Sequence, residues 1–501
     1  MSRITCPQLA GRVMTADAAA EFIRPGNSVG ISGFTGAGYP KAVPAALARR
    51  MQEAHARGEE FRIAVESGAS TAPEADGVLA AAHGIGKRLP YQSDPTLRAQ
   101  INAGEVDYVD THLSHSAQNM WFGIYGPLDV AVVEVAAILP NGLLVPGSSV
   151  GNNKTWLDQA DRVILEVNSW QPRELEGFHD IYYGTALPPQ RYPIQLTHSM
   201  QRIGEPYLRV DPAKVVAVVE TDSPDRNTPL NPPDEASTAM ADLLVDFLRH
   251  EVATGRMPPN LLPLQSGVGN VANAVMTGLA NSEFENMTAF TEVIQDGLLD
   301  LLDSGKLVSA SATSFGLSPV GVHRFLENVG LYKGRILLRS QEISNHPELV
   351  RRLGVIAING MIEADIYGNV NSTHVMGSSI MNGIGGSGDF ARNAYLNFFV
   401  SPSTAKGGSI SSIVPMVSHV DHTEHDVHVL VTEQGIADLR GLSPTRRAEV
   451  VIANCAHPRF RDQLTDYVAR ARAARPHARH TPHLLEEALG WHTRYLEKGE
   501  M

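Results

Sequence analysis

Two glutamates combine a reactive side chain with a position in which it could act. Glu292 lies inside the apolar, β-prone stretch 287–294, shortly before a glycine and a predicted helix over 298–302. Glu433 has a similar setting, because LVTEQG (430–435) again places Thr-Glu between a predicted strand and a glycine. The carboxyl ends of strands are where α/β folds usually bind ligands. Glu292 alone could equally be a buried structural acid, whereas the pair indicates a site that could carry chemistry.

Two glycine-rich loops could serve the same site. SGVGN (266–270) joins a predicted strand over 261–265 to a predicted helix over 271–279, and GIGGSG (383–388) precedes a stretch that could be helical over 389–399. Glycines let a ligand approach the backbone closely, and the N–H groups exposed there suit an oxyanion or a phosphate.

The second loop also matches the dinucleotide-binding pattern G-x-G-x-x-G. That pattern requires an acid about 20 residues further on to bind the ribose. The next acids after Asp389 are Asp421 and Glu424. We therefore expect this loop to hold an oxyanion or a phosphate, and we do not expect NAD.

GSSVG (147–151) matches the nucleophile elbow of hydrolases, with Ser149 at its centre. The elbow needs a helix directly after the serine, and a later Asp and His. Asn152 and Asn153 follow where that helix should begin. The sequence therefore favours a turn that closes a strand.

Four histidines recur every third residue in HVDHTEHDVH, at His419, His422, His425 and His428. In an extended segment this spacing sends neighbouring side chains to opposite faces, whereas zinc needs ligands that converge on one point. We expect a polar turn that leads into a strand over 427–432, and no metal.

Composition and charge exclude several classes of protein. Of 501 residues, 43% are apolar and 19% are charged, which is typical of a folded chain and not of a disordered one. The net charge of −13 disfavours nucleic acid and anionic lipid as partners, so an anionic substrate would need local positive charge or backbone N–H groups. The two cysteines, Cys6 and Cys455, exclude a disulfide framework and a cysteine zinc site. With no signal-peptide pattern and no apolar run of membrane length, we expect a cytoplasmic protein.

The elements that must position these residues alternate between strand and helix. The GFTGAG turn (33–38) links the first predicted strand to a helix predicted over 41–55. Nearly continuous apolar runs, typical of strands that are covered on both faces, predict strands over 27–32, 62–66, 106–111, 130–139, 163–167 and 215–220. This alternation predicts an α/β fold with a parallel or mixed sheet.

The second half repeats this arrangement after a proline-rich linker over 221–233, which is followed by a predicted helix over 235–254. Asn-Gly also lies between two apolar runs at 137–145 and again at 357–364, which predicts a hairpin in each half. We interpret the chain as a diverged duplication. The predicted domains are 1–225 and 226–475, followed by a tail over 476–501 with helical character over 483–497.

Six motifs, in this order along the chain, resemble the class I coenzyme A transferases and most closely the acetyl-CoA hydrolase/transferase family. They are SGVGNVAN (266–273), FTEVIQDG (290–297), SNHPE (344–348), GIGGSGDF (383–390), AKGGSISSIVPM (405–416) and VTEQGIADLRG (431–441). The resemblance implies two similar open α/β domains with the active site between them. It also implies an enzyme that moves CoA between succinyl-CoA and acetate.

The resemblance assigns the nucleophile to Glu292. A carboxylate with a reference pKa of about 4.3 is ionised at about pH 7 and needs no general base. It would attack the acyl-CoA, pass through an acyl-glutamyl anhydride and give a glutamyl-CoA thioester, which a second acid consumes. The resemblance places oxyanion holes at the amides of Val268 and Gly386, and lets Asn345 and Glu433 orient Glu292 and the small acid.

By the same resemblance, the CoA site is lined by Gln265, Ser266, Gly267, Val268, Gly269, Asn382, Gly386 and Lys406. Lys406 would supply positive charge for a CoA phosphate. Arg226, in the linker, could pair with the second carboxylate of succinate, or it could be a solvated loop residue. We expect no cofactor beyond the substrate CoA, no metal and no NAD, small-molecule substrates only, and a homodimer.

Two classes of function stay open. An enzyme would form a covalent CoA ester on a glutamate, whereas a CoA or nucleotide sensor would use the glycine loops without turnover; an intact Glu292 and two candidate oxyanion loops favour the enzyme. Among enzymes, a hydrolase would use water in place of the second acid. The acid itself could be succinate, acetate, propionate, butyrate or 4-hydroxybutyrate.

Overall fold

The computed structural model describes residues 2–69, 72–229, 232–267 and 269–501. Strands and helices alternate along the chain, and the fold is mixed α/β with parallel sheets, as the strand pattern predicts. The chain forms two compact units. The first consists of Met1–Pro229, Ala289–Leu299 and Val308–Leu353, and the second of Leu230–Thr288, Asp300–Leu307 and Gly354–Met501.

These units do not follow the predicted domains residue by residue. Glu292 was predicted in the domain over 226–475, but it lies in Ala289–Leu299, a segment of the first unit. The predicted linker is also divided, since its residues up to Pro229 belong to the first unit. The domain bounds themselves stay a prediction.

The first unit contains a largely parallel sheet. Its strands, in spatial order, are Asp107–Tyr108, Ile85–Leu89, Ile63–Glu66, Ser28–Ile31, Leu128–Ile138, Ala160–Asn168 and Val215–Thr221. Every neighbouring pair in this order is parallel. Each strand predicted in the first half is therefore confirmed. Leu144–Pro146 adds an antiparallel neighbour to Leu128–Ile138, which confirms the first Asn-Gly hairpin.

One strand of this sheet, Ile85–Leu89, was not predicted. Its sequence, IGKRL, places two cations in the middle of a short strand, so it lacks the apolar run of its neighbours. Arg88 is nevertheless fully buried, because its Nε donates to the Asp76 carboxylate at 3.1 Å. A buried charge with a hydrogen-bonded partner can occupy a core position that the apolar pattern does not identify.

The helix Ala42–Ala56 shows why this sheet is covered. Val43, Leu47, Met51 and Ala54 recur at helical spacing and are buried in one core cluster with strand residues such as Val29. Pro44 lies in the first turn, where its missing N–H leaves no hydrogen bond unmade.

Further helices surround these strands. In the first unit they are Pro7–Ala10, Ala16–Ala20, the π-helical turn Pro73–Gly77, Val78–Ala81, Pro95–Asn102, Leu113–Trp121, Asn153–Gln159, the 3₁₀ turn Arg173–Leu175, Pro319–Glu327, Val329–Tyr332, Gln341–Ser344 and Pro347–Leu353. The helix Asp296–Asp303 follows the segment of Glu292. Two further parallel pairings belong to the first unit: Val293–Ile294 with Ser314–Phe315, and Ile336–Arg339 with His179–Asp180.

The second unit has its own parallel strands, in the order Leu264–Ser266, Ile356–Gly360, Leu396–Val400 and Val429–Thr432, with Gly435–Asp438 antiparallel at the end. Its helices are Glu235–Ala253, Asn270–Ala280, Ser387–Ala391, the 3₁₀ turn Lys406–Gly408, Pro444–Asn454, Pro458–Ala474 and Gly490–Lys498. Its short strands are Glu363–Asp365, Val370–Asn371, His374–Val375, Ser379–Ile380, Thr404–Ala405, Ile410–Ser411 and Ile413–Val414. The predicted helices over 235–254 and 271–279 are confirmed.

Two predictions for the second half were wrong. The Asn-Gly at 359–360 does not form a hairpin, because Ile356–Gly360 pairs in parallel on both sides and Glu363–Asp365 pairs with other short strands. The helix expected over 389–399 ends at Ala391, and Leu396–Val400 is a strand. Its sequence, LNFFV, is aromatic and apolar, which suits a buried strand better than a helix. In the tail, the helix is shorter than predicted and covers Gly490–Lys498. No helix of the described residues is long and apolar enough to cross a membrane.

Candidate active site

Glu292 lies where a strand of the first unit is interrupted. The strand Met287–Phe290 ends two residues earlier, and Val293–Ile294 resumes the extended chain. The Glu292 carbonyl accepts hydrogen bonds from the N–H groups of Thr313, at 2.9 Å, and Ser314, at 3.1 Å. These two bonds fix the backbone of Glu292 while its side chain stays partly exposed.

Asn345 holds the Glu292 carboxylate. Its Nδ2 donates to Glu292 Oε1 at 2.7 Å. Asn345 follows the strand Ile336–Arg339 and the short helix Gln341–Ser344, and its own N–H donates to the Gln341 carbonyl at 2.9 Å. Two side chains that were predicted to act together are therefore in contact, although 53 residues separate them in the sequence.

The surroundings change the ionisation of Glu292. Burial raises its pKa to about 7, and the hydrogen bond from Asn345 opposes that rise. The sequence argument used the reference pKa of about 4.3, whereas a pKa of about 7 leaves only part of the Glu292 carboxylates ionised at neutral pH. A carboxylate with a raised pKa is more basic and poorly solvated, so it is a better nucleophile once it is ionised.

Glu433 is held quite differently, within the second unit. Ser403 donates to the carboxylate from its N–H, at 2.7 Å, and from its hydroxyl, and the Gln434 side chain donates at 3.0 Å. Burial alone would raise the pKa of Glu433, but these hydrogen bonds outweigh it and hold the pKa below its usual value. Glu433 is thus a fixed anion.

The first glycine loop of the second unit begins directly after the strand Leu264–Ser266. Gln265 is buried and exchanges side-chain hydrogen bonds of 3.2 Å with Asn359 in the neighbouring strand. The Gly267 N–H donates to the Ile358 carbonyl at 2.8 Å, which ties the loop to the same strand. The predicted oxyanion donor Val268 lies outside the described residues.

Gly269 ends this loop and precedes the helix Asn270–Ala280. Its φ of 137° and ψ of 179° belong to a region that residues with a Cβ avoid, so the chain requires a glycine here.

The second glycine loop leads into the short helix Ser387–Ala391. Gly386 is buried and has φ of −94° and ψ of 0°, which any residue can adopt. Its backbone conformation therefore does not explain why position 386 is a glycine. The preceding Gly385 differs, because its φ of 58° lies in the left-handed region that favours glycine. Asn382, also predicted to line the CoA site, lies just before the loop and is partly buried.

Lys406 lies at the tip of a hairpin between Thr404–Ala405 and Ile410–Ser411. Its side chain is exposed, and its φ of 51° is unusual for a residue with a Cβ. Two hydrogen bonds hold the residues next to the tip. Arg459 donates to the Gly408 carbonyl at 3.1 Å, and the Met501 N–H donates to the Ser409 carbonyl at 2.9 Å. Met501 itself is buried, with only 4% of its surface exposed.

Arg226 is exposed and lies 3.9 Å from the Glu74 carboxylate. Its backbone is nonetheless fixed, because its N–H donates to the Gly36 carbonyl at 2.9 Å. A Cβ at position 36 would come within 2.8 Å of the Arg226 Cβ, so the GFTGAG turn needs a glycine there to seat the arginine. Arg226 is thus an exposed cation on an anchored backbone.

No sequence pattern identifies Asp225, the residue that anchors the chain beside Arg226. Asp225 is buried, and its carboxylate accepts from Lys41 Nζ at 2.9 Å, from the Gln171 side chain at 3.0 Å and from the Ser148 hydroxyl. In the sequence, Asp225 is one of several polar residues in a proline-rich stretch. Its partners lie as many as 187 residues away, so only the folded chain identifies the network.

Ser149 lacks the surroundings of a hydrolase nucleophile. A helix does begin at Asn153, contrary to the sequence argument. The Ser149 hydroxyl is nevertheless fully buried and donates to the Ala37 carbonyl at 2.9 Å, which does not suit a nucleophile.

The histidines of the run differ in their surroundings. His422 is buried, His425 is exposed, and His428 accepts from the Asn397 N–H at 3.3 Å. Among the described residues, no group of three or more His, Cys, Asp or Glu could hold a metal ion.

Sequence comparison identifies the family. Residues 7–220 match the acetyl-CoA hydrolase/transferase N-terminal domain, and residues 321–468 match the acetyl-CoA hydrolase/transferase C-terminal domain. The chain therefore belongs to the acetyl-CoA hydrolase/transferase family, which confirms the resemblance of its motifs.

Similar proteins in this family carry different activities in their names. The chain is 49% identical over 499 residues to a succinyl-CoA:acetate CoA-transferase of Clostridium kluyveri, covering 100% of this chain and 92% of that protein. It is 47% identical to a propanoyl-CoA:succinate CoA transferase of Escherichia coli, covering 97% and 98%. It is also 46% identical to an acetyl-CoA hydrolase of Schizosaccharomyces pombe, covering 100% and 98%.

Solved structures share the fold. RipA from Yersinia pestis superposes with a TM-score of 0.71 at 23% identity, covering 92% of this chain and 98% of that one. A 4-hydroxybutyrate CoA-transferase from Porphyromonas gingivalis superposes with a TM-score of 0.63 at 22% identity, with the same coverage.

Proposed function

We propose that the protein is a CoA-transferase that moves CoA between succinyl-CoA and acetate through a covalent thioester on Glu292. The contact between Glu292 and Asn345 carries this proposal. It presents a partly exposed carboxylate whose pKa of about 7 combines basicity with an ionised fraction at neutral pH. The 49% identity to the succinyl-CoA:acetate CoA-transferase of Clostridium kluyveri supports the choice of substrates.

In the first half-reaction, the ionised Glu292 attacks the thioester carbonyl of succinyl-CoA. The new C–O bond gives an acyl-glutamyl anhydride, and the C–S bond breaks to release CoA thiolate. The thiolate then attacks the glutamyl carbonyl of the anhydride, so succinate leaves and CoA stays on Glu292 as a thioester. No proton is transferred in these steps, which suits a site built around carboxylates without a general base.

In the second half-reaction, acetate attacks the glutamyl thioester and displaces the thiolate. The thiolate then attacks the acetyl carbonyl of the new anhydride, which gives acetyl-CoA and restores the Glu292 carboxylate. Asn345 keeps the glutamate oriented through both halves. Glu433 is held as an anion by Ser403 and Gln434, and from this fixed position it orients the small acid.

The tetrahedral intermediates need hydrogen-bond donors for their oxyanions. We assign these to the amides of Val268 and Gly386, and the CoA contacts to Gln265, Ser266, Gly267, Gly269, Asn382 and Lys406. The conformation of Gly386 supports this assignment, since its φ of −94° does not itself require glycine. A bound thioester is then the reason for the missing side chain. Gly386→Ala should lower kcat by about 10²- to 10³-fold with little change in melting temperature.

Mass spectrometry tests the covalent step. The protein is incubated with succinyl-CoA and no acceptor, and the peptide that contains Glu292 should gain the mass of CoA less water. Glu292→Asp keeps the charge but withdraws the carboxylate by one methylene, and should form the adduct far more slowly. Turnover without any modification of this peptide would contradict the mechanism. Activity should also survive exhaustive EDTA treatment, because neither a metal nor NAD takes part.

A hydrolase is the second candidate, because the chain is 46% identical to an acetyl-CoA hydrolase of Schizosaccharomyces pombe. The same thioester on Glu292 would then react with water. Consumption of acetyl-CoA and release of free CoA are both measured with and without succinate. A transferase consumes acetyl-CoA only when the acid is present, whereas a hydrolase releases CoA at the same rate in both.

A further inference from the structure

His422 is a buried histidine that the reaction steps above do not use. It belongs to the run of histidines in the sequence, but only 3% of its surface is exposed. Its ring packs 4.6 Å from the ring of Phe399, and its backbone exchanges hydrogen bonds with Val370, at 2.8 and 3.0 Å. These contacts hold the imidazole firmly at one place in the second unit.

The imidazole reaches the glycine loop that carries Gly386. His422 Nε2 lies 3.2 Å from the hydroxyl of Ser387, the residue directly after Gly386. The same nitrogen lies 3.3 Å from the Ser372 hydroxyl. One histidine thus joins the loop to a second segment of the same unit.

Each of the two serine hydroxyls also has an oxygen acceptor within reach. Ser387 donates its hydroxyl proton to the Ile384 carbonyl at 2.9 Å. Ser372 donates toward the Asp421 carboxylate at 3.4 Å. When the hydroxyl protons point to these two acceptors, both hydroxyl oxygens can accept from Nε2–H of His422.

Ser387 closes the turn that contains Gly386. Its N–H lies 3.3 Å from the Ile384 carbonyl that also accepts its hydroxyl, so the backbone from 384 to 387 is fixed at both ends. The direction of the Gly386 N–H depends on this turn. A shift of the Ser387 hydroxyl would therefore change the direction of the Gly386 N–H, which we assign to the oxyanion.

We infer that His422 is a positioning residue, which fixes the Gly386 amide by donating from Nε2–H to the Ser387 hydroxyl. The inference rests on the proposed role of Gly386. An oxyanion forms only during the reaction, so a misdirected amide lowers kcat more than it raises the KM for acyl-CoA. Loss of the hydrogen bond should cost about three- to tenfold in kcat.

A set of variants tests this inference in the full-length protein. His422→Leu removes the donor, whereas His422→Gln places an amide N–H near the position of Nε2. The first should lower kcat about three- to tenfold with the KM for acyl-CoA unchanged, and the second should recover most of the loss. His425→Leu and His425→Gln are matched controls at an exposed position of the same segment and should leave kcat unchanged.

A double-mutant cycle separates positioning from packing. If His422 acts through Ser387, then His422→Leu combined with Ser387→Ala lowers kcat no further than the stronger single variant. Additive losses, or a His422→Gln variant as slow as His422→Leu at equal melting temperature, would overturn the inference. The wild-type adduct on Glu292 is measured in parallel: without that adduct the proposed function fails, whereas an adduct together with additive losses removes only the role of His422.

Discussion

Glu292 and Glu433 share a sequence context and differ in almost everything that the folded chain adds. Both follow a buried threonine at the end of a β-strand segment. Glu292 accepts from the Asn345 amide, and burial raises its pKa to about 7. Glu433 accepts from Ser403 and Gln434, which hold its pKa below the usual value. The comparison teaches that burial and the surrounding hydrogen-bond donors, and not the motif, set the pKa of each carboxylate.

The largest expected effect separates the two acids by activity. Glu292→Gln removes the nucleophile, and such losses cost on the order of 10⁴- to 10⁶-fold in kcat in well-studied hydrolases. Glu433→Gln removes a charge that only orients, so we expect a loss of about 10- to 100-fold. Steady-state rates and the covalent adduct are measured for both. The comparison breaks if Glu433→Gln abolishes the adduct while Glu292→Gln keeps it.

Variants of Arg226 and Glu433 should differ in which acid they affect. Arg226 is anchored through its backbone to Gly36 but keeps an exposed side chain, which suits a bidentate contact with the second carboxylate of succinate. Arg226→Ala should raise the KM for succinate and succinyl-CoA by about 10- to 100-fold and leave that for acetate nearly unchanged. Glu433→Gln should raise the KM for succinate and the KM for acetate by similar factors. An equal loss for both acids in Arg226→Ala would make this arginine structural or a CoA contact.

The pH dependence of adduct formation should report Glu292 and not Glu433. Only the ionised form of Glu292 attacks, so the rate should rise about tenfold per pH unit below its pKa and level off above about pH 7. Asn345→Ala removes a hydrogen bond that lowers this pKa, so the midpoint should move to higher pH. In Glu433→Gln the midpoint should stay in place. A flat profile between about pH 5 and about pH 9 would contradict the raised pKa.

The smallest effect is on stability, and its sign should differ between the two acids. A carboxyl whose pKa is raised by folding stabilises the folded state at low pH and loses that contribution as the pH rises through the folded pKa. Glu292→Gln should therefore raise the melting temperature above about pH 7, where the wild-type carboxylate is ionised. Glu433 has a lowered pKa, so its contribution is present at neutral pH and is lost as the pH falls. Glu433→Gln should lower the melting temperature at neutral pH, and thermal unfolding of both variants across this range checks the two signs.

The sequence predicted the parts of the fold that depend on local pattern. The largely apolar run over 163–167, for example, was recognised as a buried strand and lies within the strand Ala160–Asn168. Ile85–Leu89 was missed because Arg88 is buried by an ion pair that no local pattern shows. The second Asn-Gly was wrongly predicted as a hairpin, since its strand is paired in parallel on both sides and the dipeptide only ends it.

One contact of the candidate site joins two residues that the sequence singled out, but the electrostatics of the site were not predicted. The motifs name Glu292 and Asn345, and the structure places them 2.7 Å apart. A pKa depends on burial and on the donors that surround a group, and both are set by segments far apart in the sequence. The same reason explains why Asp225 and Ser403 were not predicted: each acts through partners that only the folded chain brings to it.

The seat of Met501 has a practical consequence for anyone who produces this protein. The backbone of that residue holds Ser409, its sulfur accepts from the Ser411 N–H at 3.4 Å, and both belong to the hairpin whose tip is Lys406. A chain that lacks Met501 would lose both contacts, so the hairpin would be held less firmly. Kinetic measurements should therefore use protein that retains this residue.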